Sequence, residues 1–466
     1  MSTYTLDDLA YWEERIREKV EEFGLSCFSQ EFELCDHRQM IGYMSYHGMP
    51  SHYPHWSYGK SYEKQETLYR YGVTGLPYEM VINSDPSLAY LMKDNSLCLQ
   101  ILTMAHVYGH NDFFKNNFTF MHTNPSRVLE RVNAAADRIR RYKEDPSVGS
   151  ERVERVLDGA HALALQCRRN FAIPKLSQEE QRRRMLEEFH ENKEGTLPDL
   201  EKLPLSPEED ILLFIRDHGH RLAEWEKDVL TIVHEEMQYF IPQMETKIIN
   251  EGWACFWHRR ILQSLRLPQE LHLEFLVRHN QVVRPHYGGV NPYHVGLAIW
   301  DDIYRRYKSS TRNEIEKYGT PEKSASEKLF EVREVDRDVS FLRRFLTEEL
   351  MRKLDMFRYR PFGKEVIITD VSDEYGWRAV KDRLLKDIGV ETIPIIKIED
   401  ANYTGPRVLF LKHYHDGRDL DVTYAEKTLR HVQKLWRARV MLETVRDEKV
   451  VNYRLTNKGN LKITTK

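Results

Sequence analysis

The chain has 466 residues, 41% of them hydrophobic and 11% aromatic, enough for two or three domains with sizeable cores. Charged residues make up 30% with both signs mixed, and the net charge is only -4, which leaves no electrostatic footprint for nucleic acid or an anionic membrane. Five widely spaced cysteines (Cys27, Cys35, Cys98, Cys167 and Cys255) without a C-x-x-C pair argue against a disulfide framework or a Cys-rich zinc site. The first residues lack a basic and apolar leader, and nowhere do 18 apolar residues run together. The expectation is a cytoplasmic protein with no membrane insertion.

The first helix is expected from Thr5, whose hydroxyl and Asp8 are spaced as a capping pair, to about Gly24. Residues 44–60 read as an aromatic-rich loop broken by Gly48, Pro50, Pro54 and Gly59. Within it, His52, His55 and Lys60 could line the mouth of a pocket. Ser96 suits the cap of a long helix reaching about Asn117, and further helices follow from Arg127 to about Arg168. Residues 175–209 are strongly charged and carry Gly195, Pro198, Pro204 and Pro207, which suggests an exposed linker or insertion. The arginines at 182–184 are flanked by glutamates and read as a solvated helix face. Helices are expected again at about 208–222, 224–240 and 242–266, with Pro242 in the first turn of the last. After Met351 strand-like runs dominate, with a helix near Tyr424–Leu435 and an Asp416-Gly417 hairpin signal. The fold class expected is therefore α+β: a large, mainly helical domain over 1–350, then a small α+β domain over 351–466 with a mostly antiparallel sheet.

His106 and His110 stand four apart, so on a helix both imidazoles can reach one ion. This is the ligand spacing of H-E-x-x-H zinc sites, but Val107 occupies the place of the usual general-base glutamate. Alone, such a pair is more often packed or hydrogen-bonded within a core. A third ligand is suggested by Asn250-Glu251-Gly252-Trp253-Ala254, which resembles the N-E-x-x-A-like helix of gluzincin peptidases. Glu251, Cys255 and His258 fall on one helical face among Trp253, Phe256 and Trp257, where unpaired polar groups are unfavourable to bury. The absent base could be Glu236, which shares a stripe with Val233 and Phe240, or Glu245; Glu235 lies beside the first of these. The ordinary alternative for these carboxylates is salt bridging to the abundant Arg and Lys. No G-x-x-x-x-G-K-[ST], G-x-G-x-x-G or G-x-S-x-G motif occurs, so nucleotide and serine-hydrolase readings lack their signatures.

Several blocks carry a family resemblance: Gly48-Met-Pro followed by Pro54-His-Trp-Ser-Tyr-Gly-Lys, His106-Val-Tyr-Gly-His-Asn-Asp-Phe-Phe-Lys-Asn-Asn, Glu235-Glu-Met-Gln-Tyr-Phe, Pro242-Gln-Met-Glu-Thr-Lys-Ile-Ile-Asn-Glu-Gly-Trp-Ala, Gly289-Val-Asn-Pro-Tyr and Phe330-Glu-Val-Arg-Glu-Val-Asp-Arg-Asp-Val-Ser-Phe-Leu-Arg. Together they resemble the SpoVR (stage V sporulation protein R) family over almost the whole chain. The resemblance implies a link to spore cortex formation in spore-formers. It also implies, through gene neighbourhood, a serine protein kinase and a von Willebrand-type domain protein as partners. It implies no biochemical activity. The residues themselves point to a metal-dependent hydrolase with one divalent transition metal, zinc favoured, on His106, His110 and Glu251. Glu236 or Glu245 would be the base, with His258, Cys255, Glu235, His55 and Lys60 as further lining. The rival is a non-catalytic scaffold or regulator in a serine-kinase-associated stress or sporulation pathway.

Overall fold

The computed structural model describes residues 4–465, apart from 74, 170–173, 193–198, 287–288, 320, 357, 363–364, 371–375, 406 and 457–458. The architecture is α+β, a large helical region followed by a C-terminal mixed sheet with a helix. The chain divides into two compact units, one from Met1–Ala136 with Pro242–Thr392, the other from Asp137–Ile241 with Ile393–Lys466. Among the described residues no helix is long and apolar enough to cross a membrane, and the five cysteines are free.

In chain order the elements begin with α1 (Leu6–Glu22), β1 (Gln30–Cys35), α2 (His37–Ser45), α3 (Trp56–Arg70), β2 (Glu79–Ile82), β3 (Ser87–Met92) and α4 (Leu97–Asn116). Next come α5 (Val128–Glu144), α6 (Ser150–Leu163), α7 (Gln178–Asn192), α8 (Ile211–His218), α9 (Glu224–Glu245) and α10 (Lys247–Ser264). Then follow α11 (Gln269–Val283), α12 (Pro292–Lys308), α13 (Arg312–Tyr318), α14 (Ala325–Val335), α15 (Asp338–Phe345) and α16 (Glu348–Lys353). The rest comprises β4 (Arg358–Phe362), β5 (Glu365–Asp370), α17 (Gly376–Lys386), β6 (Ile396–Asp400), β7 (Leu409–His413), α18 (Val422–Trp436), β8 (Val440–Arg446), β9 (Lys449–Leu455) and β10 (Leu461–Thr465).

The first unit is organised around α4 and α10. Seventeen of the twenty residues of α4 are buried, so this helix has almost no solvent face. Ser96 caps it as expected, its hydroxyl accepting from the Leu99 N–H. Thr5 and Asp8 form the expected capping box on α1, whose buried stripe is Leu9, Trp12, Ile16 and Val20. A three-stranded sheet has the order β1-β3-β2, with β1 parallel and β2 antiparallel to β3. No strand was expected there: the strands are short, and the alternation Glu31-Phe32-Glu33-Leu34 in β1, exposed and partly buried in turn, was not read as one.

A buried charge network ties the helices of this unit together. The Asp112 carboxylate accepts from Trp253 Nε1 at 2.9 Å, from the Ser26 N–H at 2.7 Å and from Arg333 Nη1 at 2.9 Å, and Asp112 is wholly inaccessible. Asp338, at the start of α15, takes the Ile248 and Ile249 N–H groups at 3.0 and 2.8 Å and so caps α10 from a distance. Pro242 differs from expectation. It lies inside α9, which continues to Glu245, and the break falls at Thr246. At the break the Thr246 hydroxyl bonds back to the Pro242 carbonyl and Asp338 supplies the next cap.

The aromatic segment also differs. The helix α3 already starts at Trp56, so Trp56–Lys60 are helical and only about ten residues of the expected loop are irregular. Its rings pack on one another, with His52 and Tyr58 centroids 4.3 Å apart and Tyr46 stacked on His52.

In the second unit, α6 packs closely on α18, where Gly159 faces the Leu435 side chain. The charged stretch holds α7, whose Arg184–Glu188 and Arg183–Glu187 pairs are exposed; residues 193–198, with Gly195 and Pro198, lie outside the described residues. The five-stranded sheet runs β10-β9-β8-β7-β6 and is antiparallel except for the β7–β8 pair. That exception overturns the hairpin expected at Asp416-Gly417. The two residues do turn, with Gly417 at φ +97°, but the chain then enters α18 and returns parallel to β7. The local turn signal was right and the inferred pairing was not, since a parallel pair needs a crossover helix.

Candidate functional site

The site forms where α4 and α10 touch. A Cβ added to Gly109 would lie 2.6 Å from the Ala254 Cα, so the two helix backbones meet at this point. Gly109 sits between His106 and His110, and Ala254 between Glu251 and Cys255. The closest approach of the helices is therefore also where their polar side chains converge. A second backbone contact, Gly252 against Gly296, fixes α12 on α10 and brings Tyr293 alongside. Asn291 caps α12 by accepting from the Tyr293 N–H, and its amide donates to the Val282 and Arg284 carbonyls.

This geometry yields a prediction. Gly109→Val should push α4 from α10 at a cost of about 1–3 kcal/mol and separate His106 and His110 from Glu251. Thermal melting beside a zinc titration checks it; a variant binding zinc like the parent would contradict this view of the crossing.

Three groups expected from the sequence come together. The Glu251 Oε2 is 3.4 Å from His110 Nε2 and 3.5 Å from His106 Nε2. All three ligand atoms lie within 4.8 Å of one another. The His106 Nε2 and Glu251 Oε2 are fully buried and, beyond these contacts of 3.4–3.5 Å, make no well-formed hydrogen bond among the described residues. The histidines are nearly enclosed, at 4% and 7% side-chain exposure, whereas Glu251 keeps 17%. The far nitrogens of both rings are engaged: His110 Nδ1 lies 2.9 Å from Asn250 Oδ1, and His106 Nδ1 lies 2.9 Å from His258 Nδ1. This is how metal-ligating imidazoles are commonly oriented.

A fourth group was missed. The Glu79 Oε1 is 3.9 Å from His106 Nε2, with 19% of its side chain exposed. Pairing of β2 with β3 holds it there, and the Tyr78 carbonyl accepts from the Met92 N–H and the Asn95 amide. The available sequence signal was a lone carboxylate opening the apolar run Met80-Val81-Ile82. Tyr293 was missed too, although it ends the Gly289–Tyr293 block. Its ring centroid is 6.1 Å from that of His106.

The buried groups shift one another's charge. Burial alone would raise the Glu251 carboxyl, but His110 and His106 beside it hold it below the usual range. Burial works against charge on His110, and the Glu251 charge and the Asn250 hydrogen bond outweigh it and raise its pKa. Burial raises Glu79, with the two histidines only partly opposing. The Tyr293 hydroxyl is raised by the Glu251 charge first and by burial second.

The remaining expected residues are distributed as follows. His258 and Cys255 lie behind His106, fully buried, and the three form a second compact group. Burial pushes the Cys255 thiol well up, so the group is a protonated core thiol. Glu245 belongs to the first unit and is ion-paired with Arg337 at 2.7 Å. Glu235 and Glu236 lie on the part of α9 that belongs to the second unit, both half-buried. Their neighbour His234 is held by Asp210 at 2.8 Å. His55 caps α3, its Nδ1 2.7 Å from the Ser57 hydroxyl, and Lys60 sits over the Trp56 ring at 5.8 Å.

A family model described as SpoVR like protein matches residues 3–393, and one described as SpoVR-like C-terminal domain matches residues 394–447. The chain belongs to the SpoVR-like family. It is similar to a protein of Escherichia coli (strain K12) named Uncharacterized protein YcgB, at 34% identity over 476 residues, covering 94% of this chain and 92% of that one. No solved structure matches. All the residues converging on Glu251 fall within the first of the two matched regions of this SpoVR-like chain.

Proposed function

We propose that this SpoVR-like protein is a metal-dependent hydrolase of amide or peptide bonds. The observation that carries the reading is the convergence of His106 Nε2, His110 Nε2 and the buried Glu251 Oε2, which lies 3.5 and 3.4 Å from the two nitrogens. Two neutral imidazole nitrogens and a carboxylate are a donor set for one divalent transition ion, zinc favoured, and leave a position open for substrate. When bound, such an ion supplies Lewis acidity. His106 and His110 would hold it through Nε2 and Glu251 through its carboxylate. Glu79 stands in for the base absent at position 107: its carboxylate reaches the same space from a different element, and its raised pKa suits it to take a proton from attacking water. Glu245 is a weaker choice because Arg337 already occupies it. Tyr293 keeps its proton and can donate to a substrate oxygen.

The test begins with metal content. Purified protein should retain about one transition-metal ion per chain after mild chelation, and His110→Ala should lose it. Equal and negligible metal in both would favour the non-catalytic scaffold. Loaded protein should then release new amine groups from a panel of peptides and amides, cell-wall cross-linking peptides included.

A further inference from the structure

Behind the ligand pair, three imidazoles form a line. His106 Nδ1 is 2.9 Å from His258 Nδ1, and His258 Nε2 is 2.8 Å from His279 Nδ1. All three side chains are buried, and they come from α4, α10 and α11. Each link is a nitrogen-to-nitrogen hydrogen bond, so each contains one donor and one acceptor. A neutral imidazole carries one N–H, so the polarity of the first link dictates that of the second. Neither link contains a carboxylate and all three rings are buried, where an unpaired charge is costly, so the neutral forms apply.

We infer that His258 and His279 are positioning residues that lock His106 as its Nδ1–H tautomer and so present its Nε2 lone pair to an ion at His110 and Glu251. The inference rests on the metal centre proposed above. An ion on Nε2 leaves the His106 proton on Nδ1, which donates to His258 Nδ1. The proton of His258 must then be on Nε2, which donates to His279 Nδ1. The line thus has one polarity, directed away from the ion. His110 achieves the same end more simply, by donating Nδ1–H to Asn250. A ring held at its far nitrogen loses less freedom on binding an ion, and loss of such outer partners typically costs 10–100-fold in affinity.

Zinc affinity, measured by competition with a chromophoric chelator on the full chain, tests this. His258→Leu removes the acceptor and should weaken zinc binding about 10–100-fold. His258→Asn places Oδ1 where Nδ1 was, keeps an acceptor for His106, and should bind within a few-fold of the parent. His279→Leu, further from the ion, should show a smaller loss and serves if His258→Leu does not fold. A Leu variant as tight as the parent, or an Asn variant as weak as the Leu variant, overturns the inference. So does a thiolate charge-transfer band in the cobalt-loaded protein that vanishes in Cys255→Ser, since the ion would then sit among His106 Nδ1, Cys255 and His258. A parent protein that binds no zinc fails differently: it removes the metal centre itself, and the positioning role falls with it.

Discussion

Glu79→Gln is expected to reduce hydrolysis by about 10²–10⁴, the usual contribution of a general base, while leaving the bound ion in place. The substitution preserves size and the β2–β3 pairing, and it leaves His106, His110 and Glu251 untouched. It removes the charge and the capacity to accept a proton 3.9 Å from His106 Nε2. Glu245→Gln is the informative control. It removes the charge that pairs with Arg337, so its effect should fall on thermal stability with rate preserved. Initial rates on an amide turned over by the zinc-loaded parent, beside metal content for each variant, decide the matter. Full activity in Glu79→Gln with loss in Glu245→Gln would reverse the assignment.

Arg333→Met should cost about 3–5 kcal/mol of stability, as removal of one partner from a buried ion pair does. The guanidinium lies 2.9 Å from Asp112 Oδ1 and 5.1 Å from the Phe330 ring centroid, so methionine replaces its apolar contacts but not its charge. Asp112 would be left buried with the Trp253 and Ser26 N–H groups and a long bond from the Asn116 amide, but no counter-charge. Adding Asp112→Asn should recover a large part of the loss, because an amide tolerates burial without a counter-charge. Urea denaturation of the two variants and the parent reads this directly. A single variant within 1 kcal/mol of the parent, on the scale of an exposed pair, would show that the network contributes little.

Local rules made the helix starts legible: Thr5 with Asp8, and Ser96 ahead of an apolar run, are signals read over four residues. The convergence of His106, His110 and Glu251 was also legible, because helical spacing aligns the first two and the N-E-G-W-A segment flags the third. Glu79 was not, since its place depends on β2 joining β3 and β3 joining β1, pairings of segments up to about sixty residues apart. Gly109 and Ala254 give no periodic signal either; their meaning appears only when two helices cross. Glu236 shows the opposite limit. Its helix was read correctly, but helix periodicity does not report which unit a turn of α9 belongs to.

The first unit is assembled from two chain segments, with residues 137–241 belonging to the other unit. His106 therefore leaves the ribosome well before Glu251, which follows it by 145 positions (251 minus 106). At about 5–20 residues per second, that interval is roughly 7–30 s. Throughout it α4, a helix with seventeen residues destined for the interior, has no α10 to lie against. A newborn chain thus carries a helix that α1 and β1 can already cover on one side, while the side destined for α10 stays bare until the second segment emerges.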